Sequence, residues 1–268
     1  MTEGCRDLTI HTVSFFHGRG PVLCTSTPCA NEAPEEWRMS GPGEKNRLVS
    51  TLWDQLVAME SPLWKHRQSS NKAVLPIQVV CDALGKPHLL LGEYQGPAIS
   101  FSEGGGKVWA ALCGDESDIG IDLAGTDEFQ REYPFHRVFH PQELQHALGL
   151  AGGDLEKASA LLWSIKEAVV KALGCAFHLI DPRQITVCPS VGGDGCYTFP
   201  VGLSRKAETR FSIAARGPLW VRSLLQKEMW LSIALLPGLT PVPVRGSPPP
   251  PAEPHQQAGT RLAGGKLY

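Results

Sequence analysis

Three observations predict an α+β fold for this chain. Two amphipathic helical stripes stand far apart, near residues 48–63 and 155–173. Short β-rich runs lie between and beyond them, punctuated by tight turn sequences. The order of helix followed by short strands occurs twice, so the chain reads as two similar halves of low mutual identity.

From Gly18 to Asn46 the sequence is loop-like, punctuated by Gly18-Arg19-Gly20-Pro21, Ser26-Thr27-Pro28-Cys29 and Gly41-Pro42-Gly43. Leu48, Val49, Leu52, Trp53, Leu56, Val57 and Met59 then recur at helical spacing, and Ser61-Pro62 ends the stripe. Leu75–Val80 and His88–Gly92 read as strands around the turn Asp82-Ala83-Leu84-Gly85-Lys86-Pro87. Ala98–Ser102 and Lys107–Cys113 follow as strands, and Gly114–Ser117 turns the chain into Ile119–Leu123. Period-two alternation puts Ile119, Ile121 and Leu123 on one face of that strand and Gly120 and Asp122 on the other. A glycine beside a carboxylate leaves room for a ligand.

A short helix starts at Pro141, a favoured first helical position. Asp154 is the expected N-cap of a longer helix, and Gly174 its stop. Leu155, Ala158, Leu162, Ile165, Val169 and Leu173 form its core-facing stripe. At ~100° per residue, Glu167 lies nearly opposite Ile165 and Val169, with Trp163 and Lys171 one turn to either side and Lys166 offset by a quarter turn. A bulky aromatic on that face implies that something covers it. Ile185–Cys188, Cys196–Val201, Phe211–Ala215 and Trp230–Leu236 complete the predicted strands. The resulting organisation is a largely loop N-terminal segment (1–46), a first half (47–117), a second half (118–236) and a Pro/Gly-rich, disordered tail (237–268).

A formal charge of −2 argues against broad nucleic-acid or acidic-membrane binding. No apolar run approaches the roughly 20 residues needed to cross a bilayer, and the first residues lack a basic-then-apolar pattern. The eight cysteines include no CxxC pair and several sit in apolar contexts, which suits reduced thiols in a cytoplasmic protein.

The chemistry concentrates in Gly120-Ile121-Asp122 and Trp163-Ser164-Ile165-Lys166-Glu167-Ala168-Val169-Val170-Lys171. Two carboxylates from different elements, with ammonium groups beside one of them, suit a divalent hard cation holding a phosphate-bearing ligand. Taken alone, Glu167 and Lys171 are also an ordinary i,i+4 pair worth ~0.3 kcal/mol, and Asp122 an ordinary strand-end acid.

These segments resemble the 4′-phosphopantetheinyl transferase superfamily, whose markers are a Gly-Ile/Val-Asp strand end and a Trp-x-x-Lys-Glu-x-x-x-Lys helix. Gly85-Lys86-Pro87, Ile99-Ser100-Phe101-Ser102 and Arg137-Val138-Phe139-His140-Pro141-Gln142-Glu143-Leu144 resemble further family segments in the same order. Length and the upstream matches favour the Sfp-type branch, a pseudo-dimer within one chain. The resemblance implies a monomeric enzyme that moves phosphopantetheine from coenzyme A to a serine of an apo acyl or peptidyl carrier protein, releasing 3′,5′-ADP. It implies Mg2+ on Asp122 and Glu167, catalysis by Glu167 and Lys171 with metal-bound hydroxide as the competing base, and coenzyme contacts from Lys86, Ser100, Ser102, Lys166 and Lys171.

Two positions depart from the pattern. Ala124 stands where the Sfp branch often has a second acid, with a water filling the site. Phe101 replaces the histidine of Ser-His-Ser, and the loss of such a charged hydrogen bond costs ~1.5–3 kcal/mol of coenzyme affinity. The alternative they favour is a weakened or inactive relative that binds coenzyme A or a carrier. Arg47, Lys65, Arg67 and Lys72 are the candidates for adenosine 3′-phosphate contacts, and Phe135–Leu150 for the carrier face. Carrier identity is not legible.

Other patterns are weaker. His136 and His140 share i,i+4 spacing, but no zincin glutamate follows His136 and Pro141 comes next. Gly104-Gly105-Gly106-Lys107 lacks Walker spacing and reads as a tight hairpin turn. The proline-rich tail has polyproline character, for which an unstructured end is the simpler account.

Overall fold

The computed structural model describes residues 9–14, 21–29, 42–60, 64, 76–129, 133–193 and 195–238. The Ser61-Pro62 stop, Lys65, Arg67, Lys72 and the tail from residue 239 lie outside them.

The first half pairs β1 (Ile10–Val13), β2 (Val22–Pro28), β3 (Ile77–Cys81), β4 (Pro87–Leu91), β5 (Tyr94–Gly104) and β6 (Lys107–Cys113) in the order β1-β2-β6-β5-β4-β3. The second pairs β7 (Asp118–Gly125), β8 (Ile185–Val187), β10 (Cys196–Leu203), β11 (Leu219–Gln226) and β12 (Met229–Leu236) in the order β7-β12-β11-β10-β8. Its remaining strand, β9 (Val191–Gly193), lies on β10. Every pairing is antiparallel. The helices are α1 (Pro42–Ala58), α2 (Phe135–Val138), α3 (Pro141–Leu150), α4 (Leu155–Ala172) and α5 (Arg205–Arg210). The α+β class and the two helix-plus-antiparallel-sheet halves are therefore as expected.

Alternating side chains sort the core into three slabs. Leu48, Leu52 and Leu56 of α1 pack on one face of the first sheet with Leu23, Ala110 and Leu112. The opposite face, with Val22, Cys24, Trp109 and Ala111, meets Ile119, Ile121, Leu123, Leu231 and Ile233 of the second sheet. Beyond that sheet, Ala124, Trp230 and Ala234 pack on α4 through Leu161, Ile165, Ala168 and Val169.

Asp154 caps α4 as expected, its carboxylate accepting from the Lys157 N–H at 3.0 Å. Gly174 follows the helix at φ +69°. Of the predicted stripe, Ala158, Leu162, Ile165 and Val169 are buried, whereas Leu155 is exposed in the first turn. The Gly105-Gly106 turn joins β5 to β6, with Gly104 opposite Lys107 and both turn glycines at positive φ, the hairpin form the sequence implied.

Three expectations need correction. The loop-like stretch Gly18–Asn46 contains β2, and α1 begins at Pro42. Val22–Thr25 are all buried, so this strand shows no alternation to read. Phe211–Ala215 is not a strand: it turns through Ser212 at φ +52° into a short 3-10 segment, and the strand is β11, a few residues later. Polar Ser223 obscured β11; it is buried because its hydroxyl meets Ser232, which in turn meets Ser164 of α4, both at 2.7 Å. Lastly, Gly120 makes room for α4, not for a ligand. A Cβ there would lie 1.9 Å from the Ala168 carbonyl oxygen and 2.6 Å from the Ala172 nitrogen.

Gly120→Ala should therefore push α4 off β7. Because both obstructing atoms are backbone, a destabilisation of roughly 3 kcal/mol or more is expected in chemical denaturation.

Candidate active site

The site forms where the halves join. β12 pairs with β7 on one side only, which leaves the other edge of β7 without a strand. Serines of β5 bond to that edge: Ser100 Oγ accepts the Ile121 N–H at 3.1 Å, and Ser102 Oγ accepts the Leu123 N–H at 3.2 Å. Ser102 Oγ also donates to Asp122 Oδ1 at 3.1 Å. From α4, the Lys171 ammonium donates to Asp122 Oδ1 at 2.8 Å, to the Ile121 carbonyl at 3.1 Å and to the Phe101 carbonyl at 3.3 Å. Asp122 is thus fixed by both halves.

Glu167 lies one helical turn before Lys171 and shares an electrostatic field with Asp122. Burial, then the Asp122 charge, push its carboxyl up to about 7 against the pull of Lys171. Burial also raises Asp122, with Lys171 and Ser102 opposing. A third acid was missed in the sequence. Glu128, in the 3-10 turn Thr126–Glu128 after β7, accepts the Gly125 N–H at 2.7 Å and adds its charge to the field at Glu167. Its signal was the acid pair Asp127-Glu128 just past the strand end. Ala124 is fully buried in the apolar cluster that includes α4.

Lys166 is elsewhere. It is 0% exposed, paired with Glu143 of α3 at 2.6 Å, and donates to the carbonyls of Val138, Pro182 and Ile185 at 3.2, 2.9 and 2.8 Å. Glu143 also accepts the backbone N–H groups of His140 and Val187. Lys166 is therefore a structural post and not a coenzyme contact. The sequence placed it a quarter turn from the catalytic face, and that quarter turn aims it into the α3–α4 interface. Trp163 is covered by this chain's own Phe129 and Phe177, at ring-centroid distances of 6.2 and 5.0 Å, rather than by a ligand.

A cavity of about 220 Å³ opens beside Lys171, lined by Lys45, Val79, Lys86, Ser100, Phe101, Gly174 and Cys175 among others. It thus brings together Lys86, Ser100 and Lys171 of the expected coenzyme set, while Ser102 lies behind them against Asp122. The turn that presents Lys86 is organised by Asp82, whose carboxylate accepts the N–H groups of Leu84 and Lys86. The Lys86 ammonium is 2.6 Å from Asp118, which Arg216 also engages. Burial would raise the Asp118 carboxyl, but Lys86 and Arg216 hold it below the usual range.

Arg47 donates to Thr27 at 3.0 Å. His140 does not ligate a metal with His136: its Nε2 is 2.8 Å from the Arg183 carbonyl oxygen. Among the described residues no three His, Cys, Asp or Glu side chains gather into a metal-binding group. Nor do cysteines there form a disulfide, or any helix have the length and apolarity to cross a membrane.

Residues 118–215, which carry Asp122, Glu128, Glu167 and Lys171, match the family model of the 4′-phosphopantetheinyl transferase superfamily. No curated protein matches the chain. Solved structures with partial likeness include a Chronobacterium ammoniagenes ACPS–CoA complex, at 20% identity and a TM-score of 0.38, covering 47% of this chain and all of that one. A Helicobacter pylori holo-acyl-carrier-protein synthase in complex with coenzyme A aligns at 17% identity and TM-score 0.36, covering 44% of this chain and 98% of that one. The holo-ACP synthase of Plasmodium yoelii aligns at 18% and 0.37, covering 46% and 95%. Likeness at this level adds no argument about function.

Removing the Lys166 charge should orphan a buried carboxylate. Lys166→Met is expected to lose about 3–5 kcal/mol of stability, read by denaturant titration.

Proposed function

We propose that this chain transfers the 4′-phosphopantetheine group of coenzyme A to a serine hydroxyl of an apo acyl or peptidyl carrier protein. The observation that carries the reading is the meeting of Asp122 and Glu167 around Lys171, which itself lines a cavity with Lys45 and Lys86, in the segment that matches the superfamily model. The serine oxygen bonds to the phosphorus on the pantetheine side of the pyrophosphate. The bond from that phosphorus to the bridging oxygen breaks, and 3′,5′-ADP leaves.

Two desolvated carboxylates, the charge of Asp122 adding to the proton affinity of Glu167, suit a divalent cation. Mg2+ fits this donor set: Asp122 and Glu167 would hold it, with waters and ligand oxygens completing its shell. When bound it would neutralise charge on the pyrophosphate.

The chain's own groups supply the rest. Glu167 would take the serine proton; in the metal-free protein burial and the Asp122 charge raise its carboxyl to about 7, and a bound cation would lower it again. Lys171 sits where it can stabilise charge growing on the leaving phosphate while holding Asp122 in place. Lys86 and Ser100 line the remainder of the coenzyme's path. On this reading the enzyme is of the Sfp type, a monomer, and works in the cytoplasm, which suits its unpaired thiols.

Incubation with coenzyme A, Mg2+ and a panel of apo-carriers should raise the mass of at least one carrier by one phosphopantetheine group. Asp122→Ala and Glu167→Ala should each abolish the shift while keeping the circular dichroism of the parent. Coenzyme binding with no transfer to any carrier would instead mark a binding-only relative.

The pH dependence of metal binding follows from the carboxyls. Glu167 is raised from 4.5 to about 7, so the metal-free fold loses stability as pH rises across that window. Mg2+ requires the ionised form, so its apparent affinity should rise from pH 6 to pH 8. About half a proton per metal should be released at pH 7, and almost none at pH 8.5, as measured by calorimetry in buffers of different ionisation enthalpy.

A further inference from the structure

Lys86 belongs to the first half, yet its ammonium is bonded to the second. Its main chain is fixed by the Asp82 carboxylate, which accepts the Lys86 N–H at 2.9 Å. Its stem crosses Gly174 just past α4, where a Cβ would lie 2.8 Å from Lys86 Cδ. The ammonium then reaches Oδ1 of Asp118, the first residue of β7, at 2.6 Å. The side chain so laid out is a wall between two cavities. Among the described residues no carboxylate lines the cavity shared with Lys171, whereas a second cavity, of about 270 Å³, is lined by Asp115, Glu116 and Asp118. Charge alone would therefore draw the ammonium to the acidic side and away from a coenzyme phosphate.

Arg216 changes that balance. Its guanidinium takes the other carboxylate oxygen, Oδ2, of Asp118, while its Nε donates to the Pro237 carbonyl at 2.8 Å. The planar fork makes both bonds at once, so the guanidinium is held in place independently of Lys86. Asp118 is kept ionised by its two cations, and the three groups together carry one net positive charge; Lys86 and Asp118 alone would carry none. All three side chains are mostly buried, where water screens charge weakly. We infer that Arg216 is a positioning residue for coenzyme binding: by engaging half of Asp118 it leaves the Lys86 ammonium able to bond a phosphate oxygen of the coenzyme from the cavity wall. A carboxylate already shared by two cations competes less well with a phosphate for either of them. The inference rests on the proposed function, which runs the coenzyme past Lys86. Arg216 itself stands just beyond the segment that matches the superfamily model.

The test is calorimetric titration of the full chain with coenzyme A in the presence of Mg2+. Arg216→Gln should weaken binding about five- to tenfold, because Asp118 then neutralises Lys86 in full. Adding Asp118→Asn to Arg216→Gln should return the affinity to within about twofold of the parent, since the competitor of the phosphate is gone. A purely structural role for Arg216 gives the opposite result, a double variant no tighter than the single one. Should Arg216→Gln not fold, Asp118→Asn alone decides: it should bind coenzyme A at least as tightly as the parent, and weaker binding counts against the inference. Unchanged affinity in Arg216→Gln, or no recovery in the double variant, overturns the role of Arg216 while the transferase reading stands. A parent that does not bind coenzyme A overturns both.

Discussion

One strand edge carries the architecture of the site. β7 has a hydrogen-bonded neighbour on one side only, and its other edge turns toward the first half. An unpaired edge next to a packed core would leave buried N–H groups without partners. Two serine oxygens and one lysine ammonium meet that need: Ser100 and Ser102 accept the strand's N–H groups, and Lys171 bonds to the Ile121 carbonyl. The same groups position Asp122. The stitching of the two halves and the presentation of the first carboxylate are thus one set of hydrogen bonds.

The second carboxylate depends on where α4 lies, and two features of opposite kind determine that. Gly120 removes the only atom that would keep the helix from backbone contact with β7. On the far side, the buried Lys166–Glu143 pair ties α4 to α3 and to the carbonyls of Pro182 and Ile185. Close approach and a buried ion pair, neither of which touches the cavity, together bring Glu167 into the field of Asp122. Burial first, and then that field with Glu128 adding to it, explains why an exposed-looking glutamate in mid-helix holds its proton to near neutrality.

Much of this was legible because it is local. The cap at Asp154, the stop at Gly174 and the glycine hairpin at 105–106 follow from short-range backbone chemistry. The convergence of Asp122 and Glu167 was legible only through the resemblance, since periodicity places each on its own element and says nothing of their meeting. What failed was non-local. Lys166 was expected at the coenzyme because its actual partner, Glu143, lies 23 residues away on another helix. The strand expected at Phe211–Ala215 lies later, as β11, whose polar Ser223 is buried through a hydroxyl partner on β12. Buried on both faces, β2 has no polar face to announce it. Lys45 carries no sequence signal at all; only the fold sets it over Phe101.

The strand order of the second sheet has a bearing on any attempt to isolate the superfamily segment. β12, at Met229–Leu236, lies between β7 and β11, so a fragment cut after residue 215 would lose both of those later strands. β7 would then have no ladder on either edge, and Ile119, Ile121 and Leu123 would lose Leu231 and Ile233 from their shared slab. The stretch that carries the recognisable residues is thus not a self-sufficient folding unit. The strand that presents Asp122 is secured by amino acids, Ser232 opposite it among them, that come after the recognisable part has ended.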